Sequence, residues 1–404
     1  MNQLVIKSHQ LLKRSRYSTI KKNLDEDLFN NNWHEINTKN IPKKKIDINF
    51  IDLFSGAGGL SLGFKNAGFK KVASFEIDKD ASSTIENNFK DSQHFKDDIQ
   101  EINNKQLKKI FGNTQIDIIC GGPPCQGFSV AGYRNPKDKR NLLFREFLRF
   151  IEFFKPKVFM MENVPGILTM SNGKVKETMM REFDRLGYRN TSVRILESAN
   201  FEVPQMRTRA IFIGNRIDKK NPYPKIINSK EDYLKIEDFI DDLKNHPRDK
   251  KINHEWTDHS KKFEKRISKV KPGQSLYEGF RDAYKRQYLG YPSMAITENH
   301  GGTHIHPTLN RVISAREMAR LQTFPDNFIF SALITTTLSP QSTCGVKLGL
   351  CLPLNRYATC VASRPRTLSV ASITYQSLVI VSGVAVNVLI SASELVKMMG
   401  NGKF

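Results

Sequence analysis

Cysteine is scarce in this chain: there are five in 404 residues, an odd number, and no CxxC pair. That argues against a disulfide scaffold and against the common cysteine-based zinc and redox motifs; with no signal peptide at the start, a reducing, cytoplasmic setting is expected. Long apolar runs are missing as well. Only a mixed stretch near Leu368 to Ile390 approaches the length of a membrane span, so none is expected. Acids are outnumbered, with 41 Asp+Glu against 63 Lys+Arg, for a formal charge of +22. Such an excess points to a polyanionic partner, nucleic acid first. No GxGxxG follows a strand, which makes a pyrophosphate-bearing dinucleotide the weaker ligand hypothesis.

What is present divides the chain. Residues 1–45 are rich in Lys and Asn with little apolar periodicity, and "LLKRSRYSTIKKN" reads as part of a basic, flexible N-terminal extension. From "IDINFIDLF" onward, apolar strands alternate with helical segments, the pattern of a doubly wound, mostly parallel α/β sheet. Strands are expected at Ile46–Leu53, Lys71–Ile77, Ile116–Cys120, Lys157–Met161, Thr191–Leu196 and Ala210–Gly214, with a helix over Asn141 to Phe154.

The first crossover, "IDLFSGAGGLSLGFKNAGF", ends a strand at Phe54 and enters a glycine turn of Ser55, Gly56, Ala57, Gly58, Gly59 and Leu60. Such a turn at the carboxyl edge of a sheet admits the nucleotide part of a cofactor. "FEID" places Glu76 and Ile77 at the end of the second strand, where an acid can accept both ribose hydroxyls. Asp98, followed by Ile99 in "KDDIQ", falls where the third strand should end and suits the exocyclic amine of an adenine. An adenosyl ligand without phosphates fits this set. The fourth strand then delivers "GGPPCQGFS", with Pro123, Pro124 and Cys125, to the same edge. Two adjacent prolines suit neither helix nor strand, so Cys125 belongs to a loop beside the cofactor rather than to the core. A thiol of ordinary pKa is only about 3 per cent thiolate at neutral pH, so activation by position is required. "MENVPG" brings Glu162 and Asn163 to the next place along the edge.

The ordered blocks DLFSGAGG, FEID, GGPPCQGFS, ENVPG, VPQMRTRAIFIG and REMARLQTFPDNF, spanning residues 46 to 330, resemble the C5-cytosine DNA methyltransferase family. The resemblance implies an S-adenosylmethionine-dependent methyltransferase fold with a smaller target-recognition domain. It implies Cys125 as nucleophile at cytosine C6, Glu162 at N3, and Arg209, supported by Arg207, at O2. It implies a cytosine flipped out of duplex DNA, with Gln126, Ser129 and Arg134 beyond the nucleophile as DNA contacts. No metal is required by this chemistry. His300, His304 and His306 have a suggestive spacing, but no cysteine or clear fourth ligand accompanies them. The expected domains are a catalytic and cofactor-binding unit at 46–214, a target-recognition region at 215–310 and a return segment at 311–330. A monomer is expected, functionally paired with a cognate restriction endonuclease.

The tail departs from this pattern. Residues 331–404 carry three of the five cysteines and no acid until Glu394, where the family has a short connection and a Gly-Asn pair. A degenerate form of that segment lies at 383–399, with Val384 in place of the asparagine. Insertion, frame change and fusion all fit this tail. Two alternatives therefore stand beside the methyltransferase reading: a catalytically weak DNA-binding protein, and a cytosine-C5 methyltransferase of transfer RNA.

Overall fold

The computed structural model describes residues 33–36, 47–124, 142–277, 284–296 and 304–331. Cys125, Gln126, Ser129, Arg134, His300 and the tail beyond Ser331 lie outside the described residues.

Seven strands build one central sheet: β1 (Asn49–Leu53), β2 (Lys70–Phe75), β3 (Gln93–Phe95), β4 (Ile118–Gly121), β5 (Val158–Asn163), β6 (Asn190–Glu197) and β7 (Thr208–Asn215). Their order is β3-β2-β1-β4-β5-β7-β6, with β7 antiparallel to both neighbours and every other pair parallel. The chain winds outward from β1 to β3, then returns to the centre and winds the other way through β4 and β5. The crevice at the carboxyl ends of β1 and β4 is therefore the topological switch point, where sheets of this kind bind ligands.

Both sheet faces are covered, which is why the strands read as apolar runs rather than as alternation. Ile51, Leu53, Phe75, Ile119, Phe159 and Met161 face one core with helices α3 (Asn104–Phe111), α4 (Leu142–Phe154) and α5 (Lys174–Arg185). Phe50, Ile118, Cys120, Val158 and Met160, one register off, face a second core with α1 (Gly59–Asn66). Burial at successive strand positions thus alternates between two layers, because side chains along a strand point to opposite faces.

Charge is buried inside this frame. Asp52 on β1 accepts 2.6 Å from Ser61 Oγ and so ties the strand to the first turn of α1. Burial pushes its carboxyl up to about 6, against the Ser61 bond and the attraction of Lys71. Burial also lowers Lys71 to about 8 while Asp52 opposes the shift. The Lys71 ammonium lies 4.1 Å from the centre of the Phe89 ring, a cation–π contact that partly replaces lost hydration.

Two outcomes differ from the sequence expectation. Part of the N-terminal extension is held: Trp33–Ile36 forms a strand parallel to Asn221–Pro224. The cause is apolar: Ile36 is buried, Trp33 meets the Tyr223 ring edge-on, and the Arg194 guanidinium stacks 3.9 Å over Trp33. The third strand is also short, ending at Phe95, three residues before Asp98.

Residues 311–331 pack back toward the turn after β1. The helix Ala315–Arg320 starts in a capping box formed by Ser314 and Glu317. Phe324, Phe328 and Phe330 then pack on Ala57, Leu62, Ile85 and Phe89. Asn88, in helix α2 (Lys79–Asn88), donates to Ile329 O at 2.7 Å and accepts from Ile329 N at 3.0 Å. The return segment therefore braces the glycine turn from behind.

Candidate active site

The turn after β1 takes left-handed backbone at Phe54 (φ 56°), Gly56 (φ 52°) and Gly58 (φ 91°). A Cβ on Gly58 would lie 2.7 Å from the Phe89 ring, so glycine is required there by both torsion and space. Phe54 has no such freedom, and a non-glycine residue in this region marks stored backbone strain at the sheet edge. Ser55, Gly56, Ala57, Gly58, Gly59 and Leu60 are all buried.

Glu76 closes the turn. Its Oε2 accepts from Gly56 N at 2.8 Å and its Oε1 from Asp78 N at 2.9 Å. Burial raises its carboxyl above the usual range, and these two N–H donors work against that shift. An ionised carboxylate has about four acceptor sites, so each oxygen keeps capacity for a hydroxyl donor. Beside it Ile77 is 62% exposed, an apolar side chain at the rim of a crevice. A rigid carboxylate next to an exposed apolar surface fits the diol and the flat base of an adenosyl group. Glu76→Gln, which keeps one acceptor and adds an amide donor facing N–H groups, is expected to weaken S-adenosylmethionine binding at least roughly tenfold by calorimetry. In the wild type, affinity should be highest where Glu76 is ionised and should fall as pH drops through its raised pKa. The glutamine variant should lose that dependence; an unchanged affinity would remove Glu76 from the site.

The neighbouring residues are placed less uniformly. Asp98 is half-buried and its carboxylate is engaged by Gln100 N at 3.0 Å and by Gln100 Nε2 at 3.2 and 3.1 Å, so it also caps a turn. The Ile99 side chain is buried in the core with Leu53 and Phe75, and its carbonyl accepts from Arg149 at 3.0 Å. Its side chain is thereby committed away from any ligand. Gly121 ends β4 so close to β1 that a Cβ would sit 2.4 Å from Leu53 O. Pro123 follows, buried, at the start of the loop that leads to Cys125.

Glu162 and Asn163 are the last residues of β5, next along the edge. Asn163 Nδ2 donates to Pro123 O at 3.0 Å, and its Oδ1 accepts from Val164 N at 2.9 Å. One amide thus fixes the exit of the cysteine loop against the end of β5. Glu162 is 5% exposed and receives Arg209 Nε at 2.7 Å. Arg209 sits near the start of β7, the strand antiparallel to β5, so sheet pairing alone brings the two together. Arg207 is 2% exposed and its Nη1 donates to Ile296 O at 3.0 Å. Desolvation works against its charge, as does Arg209, while Glu162 and Glu197 favour it. Glu197 accepts from Thr208 Oγ1 at 2.6 Å.

The sequence reading named Glu162, Arg207 and Arg209 but not the other residues that bond to them. Asn163 was legible only as the neighbour of Glu162; Glu197, Thr208, Phe89 and Ile296 carry no local signal. Of the histidines, the ring of His304 donates from Nε2 to Ala295 O at 3.2 Å, and His306 Nδ1 accepts from Thr308 N at 3.2 Å and Leu309 N at 3.1 Å. Those atoms are used in backbone bonding. Among the described residues no group of three or more His, Cys, Asp or Glu is placed to hold a metal, and no helix is long and apolar enough to cross a membrane.

A family profile of C-5 cytosine-specific DNA methylases matches residues 48–345. The chain belongs to this family. Its activity is methylation of DNA cytosine at C5. The methylase is 36% identical over 300 residues to the Type II methyltransferase M1.HphI of Haemophilus parahaemolyticus, covering 70% of this chain and 80% of that protein. It is 35% identical over 342 residues to the Type II methyltransferase M.DdeI of Desulfomicrobium norvegicum, covering 72% and 81%. Among solved structures, the methylase fold aligns with Entamoeba histolytica methyltransferase EhMeth at a TM-score of 0.55 and 16% identity, covering 89% of this chain and all of that one. A prophage-encoded Escherichia coli protein aligns at 0.60 and 23% identity, covering 87% of this chain and 100% of that one. The family match ends inside the divergent tail of the methylase, and 383–399 lies beyond it.

Proposed function

We propose that this methylase binds S-adenosylmethionine in the crevice formed by Phe54 to Leu60, Glu76, Ile77, Asp98, the backbone of Ile99 and Pro123, and that it modifies a cytosine flipped out of one specific DNA sequence. The observation that carries this reading is the buried Glu162–Arg209 pair, set beside the loop that Asn163 holds at Pro123. A proton-handling acid and a fixed cation stand together where the loop to Cys125 leaves the sheet.

The donor, when bound, supplies an electrophilic methyl group. This chain's residues must make the cytosine ring able to take it. Cys125 Sγ adds to C6, forming a C–S bond, and the electron pair released from the C5=C6 bond spreads toward N3 and O2. Glu162 holds a proton at N3 and Arg209, with Arg207 behind it, stabilises charge at O2. C5 then takes the methyl carbon as the donor's S–CH3 bond breaks, its electron pair returning to sulfur and the thioether leaving as product. Loss of the C5 proton restores the C5=C6 double bond and breaks the C–S bond, which frees Cys125.

Gln126, Ser129 and Arg134 are assigned to the DNA near the nucleophile, where contacts offset the unstacking cost of flipping, a few kcal/mol. Residues 215–310 are assigned to base recognition, and 311–330 to the return. The names of the relatives support a place in a restriction-modification system, with a cognate endonuclease as functional partner. The test is transfer of labelled methyl from S-adenosylmethionine to a mixture of duplex DNA and RNA. Label at C5 of DNA cytosine is expected; label confined to RNA would overturn the assignment.

A further inference from the structure

Resting on the DNA-methylase reading, we propose that the outer face of the helix Lys261–Ile267 grips the phosphate backbone of the duplex beside the target base. This helix is two-sided. Phe263, Ile267 and Val270, at i, i+4 and i+7, turn inward; Ile267 and Val270 are buried. Lys262, Lys265 and Arg266 on the helix, with Lys269 in the turn that follows it, form one exposed stripe, and the exposed Lys261 and Lys271 flank it. Glu264 is the one acid between Lys261 and Lys271 and lies off the stripe.

Several surface cations elsewhere are paired with acids. Lys65 pairs with Asp91 at 2.9 Å, Arg185 with Glu182 at 3.0 Å, and Arg320 with Asp242 and Asp326 at 2.6 and 2.7 Å. Among the described residues none of the stripe's four cations has an acid within ion-pair distance; Arg266 instead lies over the Phe263 and Tyr277 rings, at 5.7 and 5.2 Å. A row of like charges repels itself and is favourable only against a polyanion. A helix face with charges every turn matches a backbone of evenly spaced phosphates.

The stripe is also mechanically tied to the chemistry. Arg286 donates to Ile267 O at 2.9 Å and Val270 O at 2.7 Å on one side, and to His306 O at 2.8 Å on the other. The strand His304–Ile305, which pairs with Lys285–Arg286, reaches Ala295 through His304, and the next residue, Ile296, receives Arg207. Hydrogen bonds therefore run from the basic helix to within two residues of Arg209. Grip on the backbone sets the register from which Arg209 and Glu162 meet the flipped base.

The test replaces Lys262, Lys265, Arg266 and Lys269 together by Gln and measures duplex binding by fluorescence anisotropy across salt concentrations. A control replaces the three lysines by Arg and keeps Arg266. Each phosphate contact contributes about 0.9 to the slope of log K against log salt, so the Gln variant should lose ~2 to 4 from the slope and bind at least roughly tenfold more weakly at low salt. The Arg control should keep the wild-type slope. S-adenosylmethionine affinity, thermal midpoint and the sequence methylated should not change. A wild-type slope in the Gln variant overturns this surface alone. Failure of the wild type to bind duplex DNA overturns the DNA-methylase reading and this surface with it.

Discussion

Cys125→Ser is expected to abolish turnover while leaving cofactor affinity close to wild type. The chemistry needs a soft, polarisable nucleophile at C6, and a serine hydroxyl without an activating base attacks far too slowly. In the proposed site cofactor affinity rests instead on the turn of Gly56 and Gly58 and on Glu76, which is tied to that turn through Gly56 N and not to the loop beyond Pro124. A duplex carrying 5-fluorocytosine at the target supplies the complementary readout. Its C5 substituent cannot leave as a proton, so the wild type should remain covalently attached after methyl transfer, and the serine variant should not. Appreciable methylation by Cys125→Ser would remove Cys125 from the mechanism.

Glu162→Gln is expected to lower kcat by about 10²- to 10⁴-fold, the usual contribution of a positioned acid or base. Two effects combine in that variant. The amide cannot supply a carboxyl proton at N3, and Arg209, 15% exposed at its side chain, loses the anion that holds it at 2.7 Å. Removing one partner of a buried pair typically costs about 3 to 5 kcal/mol, so a fall in thermal stability should accompany the loss. Trapping on 5-fluorocytosine separates catalysis from folding, because it reads adduct formation per folded, DNA-bound molecule. Adduct formation at the wild-type rate would show that Glu162 acts on stability alone.

Much of the catalytic frame was legible before any coordinates. The apolar runs of "IDINFIDLF", "IDIIC" and "KVFMMEN" announced buried parallel strands because both sheet faces are covered. The glycine turn and the Pro-Pro loop were legible because torsion and missing donors are local properties. Glu76 at the end of β2 followed from the same logic. The misjudged features depend on distant partners. Nothing in "WHEI" signals that Trp33–Ile36 lies against Asn221–Pro224, nearly two hundred residues away. The expectation for Ile99 as a ligand contact met a core that claims its side chain. Asp98 was placed at a strand end, but β3 stops at Phe95 and the carboxylate is bound by Gln100.

By itself, the sequence determined the reaction: its motifs are short, contiguous and chemically specific, and each needs only its own backbone to present its groups. Charge composition likewise determined the class of partner, because net charge is a sum over residues and needs no geometry. Tertiary structure alone decided which groups meet. Glu162 and Arg209 meet because β5 and β7 pair antiparallel, and Arg207 reaches Ile296 because Ser293–Met294 pairs with Gln205–Met206. The cationic stripe became a surface only once Ile267 and Val270 were buried beneath it, since burial, unlike composition, is a property of what lies on the other side of the helix.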